Sequence, residues 1–65
     1  MTQYQDRIGN IVKIMHVYGI KQSDAANKVG ISREYLNRVL NYKEHNEAII
    51  SDIESALKDI IAERS

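Results

Sequence analysis

Cysteine and proline are both missing from the 65-residue chain, and glycine occurs only three times. Without cysteine there is no disulfide and no thiolate-bound metal, and the redox compartment is left open. Without proline no helix is broken from within, which suits a compact all-helical bundle. The glycines at 9, 19 and 30 are scattered, so no glycine-rich loop cradles a phosphate. No apolar run approaches bilayer-spanning length, and residues 1–20 lack the basic-then-apolar layout of a signal peptide. The expected location is therefore the cytoplasm, with no membrane contact. No nucleophile stands beside a base, and His16 and His45 each lack a second ligand at helical spacing. An enzyme, a metal site and a bound cofactor are accordingly not expected.

Net charge is zero, but it is unevenly spread. Residues 1–43 hold seven Lys/Arg against three acids, hence +4; residues 44–65 hold two against six, hence −4. A basic portion can face phosphate while an acidic end points elsewhere, although ordinary solvated surface gives the same count. Sixty-five residues allow one domain with a small core, and oligomerisation is one usual remedy for so small a core.

Two long amphipathic stretches bracket the chain. Residues 2–18 place Tyr4, Ile8, Ile11, Val12, Met15 and Tyr18 within an arc of about 120° on a helical wheel. Gly19 ends that helix, and Ile14 and Val17 lie off its stripe, either as tolerated surface residues or as part of a contact patch. Residues 46–62 place Ile49, Ile50, Ile53, Ala56, Leu57, Ile60 and Ile61 within about 140°. Asn46 caps this helix and Glu47 suits its first turn. The stripe holds more large aliphatics than one small core obviously needs, so either the surplus serves a further contact or the whole stripe packs on the first helix.

Between them runs QSDAANKVGISREYLNRVLN, residues 22–41. Ala25, Ala26 and Val29 form one short helical face; Leu36, Val39 and Leu40 form another. Gly30 can stop the first helix, because a residue without a Cβ enters the left-handed region cheaply. Ser32 can start the second, its hydroxyl accepting a free backbone N–H. Helices at 22–29 and 32–41 joined by so short a turn cross steeply. The start of the former is open: Lys21 cannot cap it, and Ser23 or Asp24 is the alternative cap.

This stretch resembles the helix-turn-helix of the lambda-repressor/Cro-type DNA-binding family. That family's pattern has Gln first, Ala fifth and Gly ninth, here Gln22, Ala26 and Gly30. Its apolar places hold Ala25, Val29, Ile31, Leu36 and Val39. Two departures are Lys21, where Thr or Ser usually caps, and Tyr42, where Gly is common. The fold implied is all-α, a small four-helix domain containing a helix-turn-helix.

On that fold Arg33, Glu34, Asn37 and Arg38 share the exposed side of the third helix. Arg donates twice to guanine, Asn pairs with adenine through both amide groups, and Glu accepts from cytosine, so these four are the candidate base readers. Glu34 and Arg38, four apart, equally suit a surface ion pair. Tyr35 either packs against the second helix or lays its ring on the sugar-phosphate backbone. Gln22, Ser32, Asn41 and Lys43 are the candidate phosphate contacts. In the family the Gln corresponding to Gln22 also steadies a side chain on the next helix.

The resemblance implies a regulator of double-stranded DNA, of a kind common in phages and mobile elements, repressing by occupying its operator. Some members pair through their last helix, so Leu57, Ile60 and Ile61 are the expected homodimer contacts. The alternative is a helix-turn-helix scaffold that binds and inhibits another protein. The zero net charge, the acidic last helix and the Ile14/Val17 patch favour it.

Overall fold

The first three helices of this chain end where local chemistry stops them. A computed structural model describes residues 3–64. Thr2, the expected first helical residue, lies outside the described residues. The helices are α1 (Gln3–Tyr18), α2 (Gln22–Val29), α3 (Arg33–Leu40) and α4 (Glu47–Arg64), with no strand among the described residues. At the end of α1, Gly19 turns left-handed at φ 65°. The Ile20 amide then donates to the Met15 carbonyl at 2.8 Å, satisfying a carbonyl that has no partner within the helix. Gly30 does the same after α2 at φ 92°, and the amides of Gly30 and Ile31 converge on the Ala26 carbonyl at 2.8 and 3.0 Å.

The helix starts are equally local. The Ser32 hydroxyl accepts the Tyr35 N–H at 3.1 Å, capping α3. Asn46 caps α4 through its Oδ1, which accepts from the Ile49 amide at 3.1 Å. The expected caps Ser23 and Asp24 are not used at the start of α2. Lys21 occupies the cap position with extended backbone and no side-chain hydrogen bond, so Gln22 is the first helical residue. Asp24 still sits in that first turn, where the N-terminal dipole favours a negative charge.

α4 is the element the others lean on. α1 packs against it on one side and α2 on another, while α3 packs on α2. Ile50, Ile53, Ala56, Leu57 and Ile60 of α4 are buried among Ile8, Ile11 and Met15 of α1 and Ala25 and Ala26 of α2. Leu36, Val39 and Leu40 of α3 join the same core. A Cα radius of gyration of 10.9 Å agrees with the value of about 11 Å expected for a packed chain of this length.

The burial corrects two expectations. Leu57 and Ile60, expected at a homodimer interface, are 1% and 8% exposed inside the chain's own core, and Ile61 is half-buried. α4 meets helices on two sides, so most of its broad stripe is consumed within one chain, with Ile49 and Ile61 left half-buried at its edges. On α1, Val12 and Tyr18 at the edges of the expected stripe are 48% and 50% exposed, whereas Ile14 is half-buried against the core.

α1 and α4 run parallel, fastened at both ends by polar contacts. The Arg7 guanidinium reaches both carboxylate oxygens of Glu54, at 2.7 and 3.2 Å, and the Ser51 hydroxyl at 2.9 Å. Arg64 donates to the Tyr18 carbonyl at 2.6 Å, and Lys28 of α2 pairs with Glu63 at 2.6 Å. The Arg7 hydrogen bond, helped by its charge, holds the Glu54 carboxyl below the usual carboxylate range. A carboxylate with a depressed folded pKa stabilises above its unfolded value of about 4.3, and loses that contribution as pH falls through the folded value. Thermal midpoints of wild type and Glu54→Gln should therefore differ at pH 7, and the gap should shrink as pH falls below the unfolded value of about 4.3. A gap that stays constant through the acid range until unfolding would show that the ion pair is not its source.

Candidate nucleic-acid interface

Leu36, Val39 and Leu40 commit one side of α3 to the core, and the opposite side is left to solvent. There Arg33, Glu34, Asn37 and Arg38 line one shallow depression, so the four expected base readers are brought together. Arg33 and Glu34 are exposed at the start of the helix, and their side chains make no hydrogen bond or ion pair to any described residue.

Asn37 is held from both sides. Its Nδ2 donates to Gln22 Oε1 at 3.3 Å, and its Oδ1 accepts from Asn41 Nδ2 at 2.9 Å. A side-chain amide offers two donor hydrogens and two lone pairs. Asn37 spends one of each on its neighbours and keeps one of each, the pair an adenine edge needs. Gln22, at the start of α2, thus fixes which way the Asn37 amide faces.

The remaining expected residues divide. Ser32 uses its lone pair as the α3 cap and keeps its O–H proton for a phosphate. Lys43 is exposed, its ammonium unpaired among the described residues. Asn41 departs from expectation: its Nδ2 also donates to the Asn37 carbonyl, at 2.7 Å. Its amide donors therefore both go to Asn37, and the oxygen that remains is an acceptor unsuited to phosphate. In this geometry Asn41 positions Asn37. Arg38 also departs. Its Nε lies 3.7 Å from Glu44, not paired to Glu34, and its guanidinium stands 5.5 Å from the Tyr35 ring centroid.

Two features escape a sequence reading. Tyr4 and His45 stack with ring centroids 4.0 Å apart, while the Tyr4 hydroxyl donates to the Glu44 carbonyl and accepts from the Asn46 amide. Asn46 in turn donates to the Tyr35 hydroxyl at 3.1 Å, which ties the half-buried Tyr35 ring, packed against the core, to the start of α4. The second feature is Tyr42, which adopts φ 64°. Its amide donates to the Val39 carbonyl at 3.3 Å and the Lys43 amide to the Arg38 carbonyl at 2.9 Å, the same closing pattern that Gly19 makes. Its place in the pattern, where Gly is common, was the available signal.

Comparison of the chain with protein-family models, with curated proteins and with solved structures finds no match. Among the described residues no group of three or more His, Cys, Asp or Glu could hold a metal ion, and no helix is long and apolar enough to cross a membrane.

The turn that presents Lys43 carries a testable strain. A side chain in the left-handed region costs about 1 kcal/mol that glycine does not incur. Tyr42 is 57% exposed beside Asp6 and Asn10 of α1, so trimming it forfeits part of its burial and offsets part of the strain relieved. Tyr42→Gly should therefore raise stability by about 0.5–1 kcal/mol, while Gly30→Ala should lower it by about 1 kcal/mol. Urea titrations of both variants check this, and the same sign for both would remove left-handed strain as the cause.

Proposed function

We propose that the chain is a sequence-specific double-stranded DNA-binding regulator of the lambda-repressor/Cro type, with α2, its turn and α3 as the helix-turn-helix. α3 enters the major groove, and Arg33, Glu34 and Asn37 meet base edges there. Gln22 and Asn41 act behind Asn37, fixing its amide. Ser32 and Lys43 hold phosphate and supply the salt-dependent share of affinity. Arg38 lies beside Glu44 and contributes to bases only once it leaves that pair. Occupation of the operator is itself the regulatory act, which makes repression the natural outcome.

The observation that carries this proposal is the buttressed Asn37, with its remaining donor and acceptor in one exposed depression beside Arg33. An ordinary solvated helix face has no reason to freeze a short amide from two sides. Leu57 and Ile60 are taken up by the chain's own core, which leaves Ile61 as the expected homodimer contact still partly at the surface.

Selection from a random double-stranded DNA pool tests this function. One short motif should be enriched, and the Arg33→Ala/Arg38→Ala double variant should lose it. Asn37→Ala should weaken binding to the selected duplex by about 1–3 kcal/mol with its helical circular dichroism intact. Absence of enrichment at low salt would remove DNA as the partner. Undiminished affinity in the Asn37 variant would remove that residue from the reading set.

A further inference from the structure

A second surface, sharing no residue with the α3 depression, runs between α1 and α4. It is a furrow of about 580 Å³, with Ile14, Val17 and Ile61 along its walls above Leu57. Val17 is 65% exposed, the most exposed large hydrophobic among the described residues. Lys13 on one wall and Lys58 on the other rise from the same furrow.

The chain's cations sort into three sets. Arg7, Lys28 and Arg38 pair with carboxylates, and Arg64 donates to a backbone carbonyl. Lys21, Arg33 and Lys43 lie on or beside the α2–α3 unit. Lys13 and Lys58 remain: both are exposed, and neither forms a salt bridge with any described residue. Glu54, the one acid in the furrow, is bonded to Arg7 and feels the Lys58 charge without forming a salt bridge with it.

Because α1 and α4 are parallel, matched at Arg7 with Glu54 and at Tyr18 with Arg64, Lys13 and Lys58 stand at about the same height on facing walls. A second copy fits this arrangement poorly. Laid in parallel over the furrow, its Lys58 meets Lys13; laid antiparallel about the same centre, lysine again faces lysine. Like charges brought together as water leaves oppose association. The chain's own acids Asp59 and Glu63 lie toward Lys28 on the α2 side, away from the furrow.

We infer that this furrow docks an amphipathic helix of another protein, its apolar stripe on Ile14, Val17 and Ile61 and its flanking carboxylates on Lys13 and Lys58. Two parallel helices with apolar walls form the kind of groove that takes such a helix through residues at i, i+3, i+4 and i+7. The paired ammonium groups fix the sign of the flanks. This docking stands whether or not α3 reads DNA.

Fluorescence polarisation tests it, with the full chain and a labelled synthetic helix carrying leucines at i, i+3, i+4 and i+7 flanked by glutamates. Saturable binding is expected, weakened about tenfold or more in Lys13→Glu/Lys58→Glu. A peptide with lysine flanks should restore binding to that variant. Val17→Asp should abolish binding while leaving the circular dichroism and any affinity for the selected duplex unchanged. The inference is overturned if no peptide saturates, or if acidic and basic peptides bind alike. It is equally overturned if sedimentation equilibrium finds a dimer that Val17→Asp dissociates.

Discussion

Burial of one face of α4 is the constraint on which this small fold depends. Ile50, Ile53 and Leu57 are at most 1% exposed, and each such side chain contributes about 1.5–3 kcal/mol on leaving water. No other helix touches as much of the core: α1 and α2 both rest on α4, and α3 is carried by α2. The placement of α3 is therefore indirect. It follows from Ala25 and Ala26 letting α2 sit close to its neighbours, both being fully buried with almost no side chain.

That indirect placement separates two kinds of surface. On α3 the exposed side is polar, and its central amide is fixed by Gln22 and Asn41 before any ligand arrives. Pre-ordering of this kind lowers the entropic cost of recognition. Between α1 and α4 the exposed surface is apolar and flanked by unpaired lysines. The two surfaces thus differ in chemistry, with hydrogen-bonding groups on α3 and an apolar furrow rimmed by lysines between α1 and α4.

How much was legible in the sequence follows from how local each determinant is. Helix ends are set within a few residues, so Gly19, Gly30, Ser32 and Asn46 act where their residue types place them. The cluster of Arg33, Glu34, Asn37 and Arg38 is likewise a matter of helical spacing. Leu57 and Ile60 were misjudged because a wheel shows how wide a stripe is, not how many helices cover it. Arg38 turns to Glu44 because the left-handed turn at Tyr42 folds the following loop back on α3, a contact with no periodic signature. The Tyr4–His45 stack joins residues forty-one positions apart in sequence and is equally silent there.

Backbone amide shifts of the ¹⁵N-labelled chain, titrated with its selected duplex, test the central claim most directly. The account predicts changes concentrated on Gln22, Ser32, Arg33, Asn37 and Lys43, with Ile14, Val17 and Ile61 unmoved. Changes confined to the α1–α4 furrow, with α3 silent, would contradict it.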